Sequence, residues 1–435
     1  LRLRSNLKSI LAISYHFPKY FSLSKGVTAM PPFTMEEQEI NVIIIIIFNI
    51  FARLTNTGMT KLLDIFWFFL KLGAFSFGGP NSHSKLMENE IVTKKHLLDQ
   101  ETFNRLRKES NSLPGPSSTQ LAMKIGFQQS GIIGMLVAGF AFVIPSCLLM
   151  LVIALYYKEF VNGKFKIVDP FLYGIRAAVI SILLYTCFVF SVKYIKDLKL
   201  LAIFFTVAGA SFAGLNPLLL LVLSVVAYII VKQTVKASEA SIGFLMQIPP
   251  EIIVPLIDNN KLILLFAKIG ALMIGSGYVI FAYLKMDLVD TNILPLNTIL
   301  DTIAFGLFAP GPILSTVTFL GYQLNLWQGA LFATLGFMIP IFVYAILGST
   351  ILSRALRSST WQIAFNALMV ASIAILFATS VSMGYVVLID IKLWIIFILC
   401  LLILLKWPKL NLLWLIIISA NVGYLLLHFM PSVAN

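Results

Sequence analysis

The stretch FLKLGAFSFGGP, Phe69 to Pro80, returns as FAKIGALMIGSG, Phe266 to Gly277, at an offset of 197 residues. Farther along, LPGPSS from Leu113 returns as APGPIL from Ala309 at an offset of 196, and the pairs Gly126/Gly321, Gly134/Gly329 and Pro145/Pro340 follow at 195. Landmarks that keep their order at nearly constant spacing mark an internal duplication. We read two homologous repeats, residues 60–231 and 261–429. Between them lies a polar linker, residues 232–260, which carries Pro249, Pro250 and Pro255 among several charges.

Around these landmarks the chain is apolar. Of its 435 residues 59% are hydrophobic and 12% charged, where a soluble domain carries about 25% charged residues. The apolar residues come in blocks of roughly 17 to 28, long enough to cross a hydrocarbon core as helices. Ile132 to Tyr156, Val168 to Val192, Leu215 to Val231 and Leu326 to Leu352 are such blocks. They lack the alternation a barrel needs, and in lipid a helix satisfies its own backbone. The predicted fold class is an all-α polytopic integral membrane protein of two homologous helical repeats. About 10–13 membrane segments are expected, some broken or re-entrant. The lipid bilayer is therefore a partner, with the plasma membrane as the expected location and an organelle membrane as the alternative.

The net charge of +13 comes from 32 Lys and Arg against 19 Asp and Glu. No basic groove motif accompanies it, so nucleic acid is not an expected partner, and short membrane loops account for most of the cations. Cys147, Cys187 and Cys400 lie inside apolar blocks and read as small buried hydrophobes. Residues 1–59 form an N-terminal extension. Its first 34 residues carry Arg2, Arg4, Lys8, Lys19 and Lys25 and no acid, which is transit-like; an artefact of an upstream start, with Met30 or Met35 beginning the mature chain, is the other reading.

Loop charge bears on orientation. Residues 85–111 hold Lys85, Lys94, Lys95, Arg105, Arg107 and Lys108, whereas residues 285–297 hold Lys285 alone, a contrast that predicts inverted repeats. Lys158, Lys164 and Lys166 correspond to a loop that also carries cations, Arg354 and Arg357, and they argue the other way. Inversion is the expectation carried forward.

Two kinds of broken-helix motif are candidates for substrate binding. The first is Ser76-Phe77-Gly78-Gly79-Pro80, where glycines allow close backbone approach, with Gly275-Ser276-Gly277 as its partner; a capped helix end is the plain structural reading. The second is Pro114-Gly115-Pro116-Ser117-Ser118, with Pro310-Gly311-Pro312 and Ser315 as its partner. Proline in a first turn marks a helix N-terminus, where free amides and the dipole attract an anion, although Pro-Gly-Pro also makes tight turns. Gly/Pro-interrupted segments at corresponding positions of two halves point to a transporter substrate site.

Lys71 and Lys268 share a repeat position within apolar helices and are read as counter-charges for the anion, snorkelling being the alternative. His83, Glu88, Lys124 and Arg176 are candidates for the coupling ion or counterion. No phosphate loop, nucleophile elbow or metal-ligand spacing occurs, so neither an enzyme nor a cofactor or metal is expected.

FLKLGAFSFGGP with His83, LPGPSSTQ, the series Gly126, Gly131, Gly134 and Pro145, and the second APGP with Gly321, Tyr322, Gly329 and Pro340 together resemble the chromate ion transporter family, in its long two-domain form. The resemblance implies a secondary transporter that exports chromate, with sulfate as the related oxyanion and an ion gradient, expected to be protons, as the drive. It also implies two antiparallel domains. Two stretches depart from the family pattern: Lys108-Glu109-Ser110-Asn111-Ser112 is polar, and Gly275-Ser276-Gly277 is a shortened glycine run. The functional expectation is alternating-access transport of a chromate- or sulfate-type dianion, with a homodimer as candidate assembly. A passive anion channel and a membrane enzyme acting on a phosphorylated lipid are the rival readings.

Overall fold

The computed structural model describes residues 59–161, 169–233, 258–274, 277–350, 358–408 and 410–429. The readings made for residues 1–58, for most of the linker and for Gly275 and Ser276 fall outside the described residues.

The first repeat opens with α1 (Met59–Phe75) and α2 (Pro80–Glu88), which runs into a π-helical turn at Asn89–Lys94. Then come α3 (Gln100–Asn111), α4 (Ser117–Val161), α5 (Asp169–Tyr194), α6 (Leu198–Phe212) and α7 (Pro217–Gln233). The second repeat presents the same series: α8 (Asn259–Leu272), a 3-10 turn at Gly277–Val279, α9 (Ile280–Leu284) and a π-helical turn at Lys285–Val289. It continues with α10 (Leu296–Phe308), a 3-10 turn at Ile313–Ser315, α11 (Thr316–Thr350), α12 (Ser359–Val387), α13 (Ile391–Lys406) and α14 (Leu412–Phe429). Even the π-helical turns recur in register. Among the described residues five helical segments are long and apolar enough to cross a membrane, and three shorter apolar helices accompany them.

Two of the long segments are broken. The backbone leaves helical geometry at Ser130 and Gly131 in α4 and at Asn325 and Leu326 in α11. A Cβ on Gly126 would lie 2.2 Å from the Gly134 carbonyl oxygen, and one on Gly321 would lie 2.3 Å from that of Gly329. In a straight helix residues eight apart stand about 12 Å apart, so the chain reverses here, and only glycine permits the two limbs to touch. The Thr318 and Thr334 hydroxyls, 2.8 Å apart, join the limbs of α11 across the same reversal. The limb after Pro-Gly-Pro is thus about 20 Å long, too short to cross the bilayer. It is a re-entrant half-helix, as the Pro-Gly-Pro pattern predicts.

Packing is reciprocal. Helix α1 lies on α4 and α8 on α11, and α4 meets α11 while α5 meets α12 at the centre. Beyond these, α5 packs on α13 and α14 of the second repeat, and α12 packs on α6 and α7 of the first. The exchange buries α5–α7 and the second repeat in one large core, while α1, α2, α3 and the face of α4 that they cover close on a second, smaller core around Phe69, Phe103 and Phe142. The outer faces carry apolar side chains in register: Ile144, Leu148 and Val152 stand exposed along α4, and their repeat equivalents Ile339, Val343 and Leu347 along α11. A spacing of four residues keeps each set on one helix face, which suits contact with lipid tails.

Candidate functional site

The reciprocal packing brings the four motifs together. The Gly115 amide donates to the Met273 carbonyl at 2.6 Å, and the Gly311 amide donates to the Ser76 carbonyl at 2.7 Å. Each Pro-Gly-Pro therefore closes on the end of the first helix of the opposite repeat. The conformation requires glycine, since Gly115 has φ of 107° and Gly311 of 90°. These two amides, expected to be free, are spent on joining the repeats.

A cavity opens where the four segments meet. Gly78, Gly79 and His83 contribute from the first Gly-rich motif, Pro116 and Ser118 from the start of α4, and Gly277, Tyr278 and Ile280 from the second Gly-rich region. Gly306, Leu307, Ala309, Gly311, Pro312 and Ile313 complete it from the C-terminal part of α10 and the second Pro-Gly-Pro. Three helix N-termini open here, one of them at Pro312, which precedes the Ile313–Ser315 turn that leads into α11. Helix α2 starts at Pro80 after Gly79 in extended conformation, and α4 receives its first backbone bond from the Gln120 amide to the Pro116 carbonyl at 2.9 Å, so the first-turn amides before it have no partner in the helix.

Several deeply buried polar atoms around these motifs have no hydrogen-bond partner: Ser76 Oγ, both ring nitrogens of His83, Thr119 Oγ1, Gln120 Oε1 and Ser315 Oγ. Thr119 and Ser315 are repeat equivalents. Buried polar groups are ordinarily satisfied, so their concentration beside one cavity points to polar occupants, either water or a ligand. Ser76 and Ser315 do not line the cavity themselves, and neither do Pro114, Gly115, Ser117 and Pro310. Pro114 supports it indirectly, its carbonyl accepting from Gln120 Nε2 at 2.9 Å.

The two lysines read as counter-charges stand away from the cavity. Lys71 is exposed on α1 and Lys268 pairs with Asp287 at 2.7 Å, half-exposed on α8. Neither lines the cavity. Two other charged candidates, Glu88 and Lys124, are also held elsewhere. Glu88 accepts from Gln100 Nε2 at 2.6 Å and from Arg107 at 3.1 Å, and Lys124, 3% exposed, pairs with Glu109 at 2.6 Å.

Arg176 reveals a cluster that the sequence reading missed. Its guanidinium grips Asp301 with two bonds of 2.8 Å, and the Tyr157 hydroxyl donates to the same carboxylate at 2.9 Å. Asp301 is fully buried on α10, so this cluster ties α4 and α5 of the first repeat to α10 of the second. The lone acid inside the apolar run LNTILDTIAFGLF is the sequence signal of this cluster.

Comparison with known proteins places the chain among its relatives. The family model described as chromate transporter matches residues 63–229 and 260–424, one match per repeat. An uncharacterized transporter of Methanocaldococcus jannaschii is 28% identical over 399 residues, 84% of this chain and 94% of the relative. A probable chromate transport protein of Synechococcus elongatus is 28% identical over 292 residues, 64% of this chain and 74% of the relative. A chromate transport protein of Cupriavidus metallidurans is 26% identical over 309 residues, 66% and 73% of the two chains. No solved structure matches.

Proposed function

The chain belongs to the chromate transporter family, and from that premise we propose that it carries a chromate- or sulfate-type oxyanion across the membrane through the cavity between its repeats. It is a multi-pass integral membrane protein, and we place it in the plasma membrane. The observation that supports the reading most is the meeting of both Gly-rich regions and both Pro-Gly-Pro turns in one cavity, with three helix N-termini opening into it. Helix N-termini and unpaired amides bind oxyanions, and a bilayer interior strengthens that attraction.

The mode of transport in this proposal is alternating access. The cavity is shared between the repeats, so tilting one against the other opens it to one side and then the other. The Arg176–Asp301 pair spans the moving boundary and would be remade in each cycle. A gradient of protons supplies the drive.

The test is transport in proteoliposomes loaded with labelled sulfate or chromate, with and without an imposed pH gradient. The proposal expects saturable flux of at least one of the two anions, accelerated by the gradient. Currents indifferent to pH would favour a channel, turnover of a phosphorylated lipid would favour an enzyme, and absence of flux for both anions would overturn the assignment.

A further inference from the structure

The cavity poses a charge problem that the lysines do not solve. No Lys or Arg is among its described lining residues. Three helix N-termini, at α2, at α4 and at the Ile313–Ser315 turn that leads into α11, supply about half a charge each, less than the two charges of a chromate- or sulfate-type dianion. An uncompensated charge buried in a membrane protein is costly. Something else must balance the remainder.

His83 is the side chain in position to do so. It lines the cavity, it is 2% exposed, and neither ring nitrogen has a hydrogen-bond partner. Its ring stands edge-on to Phe142 of α4, centroids 5.7 Å apart, and the backbone of Ser76 and Gly78 lies beside it without hydrogen-bond geometry. Tyr278 is the other titratable residue lining the cavity. On its own helix Lys85 is exposed, and Glu88 is engaged by Arg107. The repeat equivalent of His83 is Ile280, which lines the same cavity. The duplication thus offers two matching positions and uses one for a titratable group, which packing alone does not require.

We infer that His83 holds one proton for each oxyanion bound, so that anion and proton enter and leave the cavity together. The proton comes from water on the side where the anion enters. It sits on the ring nitrogen nearest the anion, or is shared with an anion oxygen, and returns to water when the anion leaves. A dianion then crosses with a net charge of minus one. The inference rests on the oxyanion reading of the cavity.

The test is proton uptake on binding. Purified full-length protein in detergent, in weak buffer with a pH indicator, is titrated with sodium sulfate between about pH 5 and pH 8, the range where an imidazole titrates. About one proton per bound sulfate is expected toward the lower end of that range, where burial already keeps the ring of the anion-free protein neutral, with affinity falling by up to about tenfold per pH unit as linkage requires. His83→Gln keeps a hydrogen-bonding side chain but no titratable one, and should bind with proton uptake near zero and a flat pH profile. Ile280→His should raise the uptake above that of the unmodified protein. Sulfate binding without proton uptake in the unmodified protein, a result that needs no variant, would overturn the inference and leave the oxyanion site standing. Undiminished uptake in His83→Gln would also overturn it. Failure of the unmodified protein to bind either sulfate or chromate would instead remove the oxyanion reading, and the inference with it.

Discussion

Helices α3 and α10 hold the same place in the two repeats, each leading into a Pro-Gly-Pro, yet they live in different surroundings. Helix α3 buries Phe103, Leu106 and Ser110 and leaves Arg105 exposed, packing chiefly on α4. Helix α10 buries nearly every residue from Thr298 to Leu307 and touches α5, α11 and α14. At the position of Arg105 it carries the fully buried Asp301. The reverse substitution occurs a turn later, where the buried Lys124–Glu109 pair of the first repeat is matched in the second by Phe305 and Phe319, ring centroids 5.8 Å apart. The comparison teaches that the fold tolerates polar or apolar contacts at these sites. Where a charge is buried on one side only, the reason lies in what that side does.

The contrast can be broken most severely at Asp301. Asp301→Ala strands Arg176 and should cost about 3–5 kcal/mol, the usual penalty for half of a buried pair, whereas Arg105→Ala should stay within about 0.5 kcal/mol. Thermal unfolding of the two variants in detergent measures the difference. Equal effects would mean that the two repeats use this position alike.

A smaller effect is expected at the next pair. Glu109→Ala leaves Lys124 buried without a partner and should cost about 2 kcal/mol, less than at Asp301 because Glu109 is partly exposed. The double variant Glu109→Phe/Lys124→Phe copies the second repeat and should recover most of that loss, a coupling that a double-mutant cycle reads directly. His83→Ile copies Ile280. It removes an unsatisfied buried group and should raise stability by about 1 kcal/mol while abolishing proton-linked binding of sulfate. Weakest of all, Lys71→Met and Lys268→Met should each change stability by less than about 1 kcal/mol and leave transport intact, since both side chains lie outside the cavity.

Much of the architecture was legible in the sequence. The apolar blocks announced helices in lipid, and the near-constant offset of FLKLGAFSFGGP, LPGPSS and the glycine pairs announced the duplication. The re-entrant limbs followed from Pro-Gly-Pro and the short apolar stretch to Phe127. The convergence of the backbone motifs on one cavity was legible, and the placement of the charged side chains was not. Gly78, Gly79, Gly311 and Pro312 do meet in the cavity because glycine and proline dictate local geometry. Lys71 and Lys268 do not, because the direction of a long side chain depends on which face its helix turns inward, and that is a property of the packing. The exchange of α5 and α12 between repeats, which creates the Arg176–Asp301 pair across 125 residues of chain, leaves no trace in local pattern. The partner of Arg176 was therefore out of reach, though the solitary acid in α10 was not.

The central claim is that an oxyanion sits where the four broken-helix segments converge. Selenate is a tetrahedral dianion with a heavy centre, and crystals of the full chain grown with it can be measured at the selenium absorption edge. An anomalous peak between Gly79, Ser118 and Pro312 is the predicted result. A peak beside Lys71 or Lys268 with the cavity empty, in protein that transports selenate, would contradict the account.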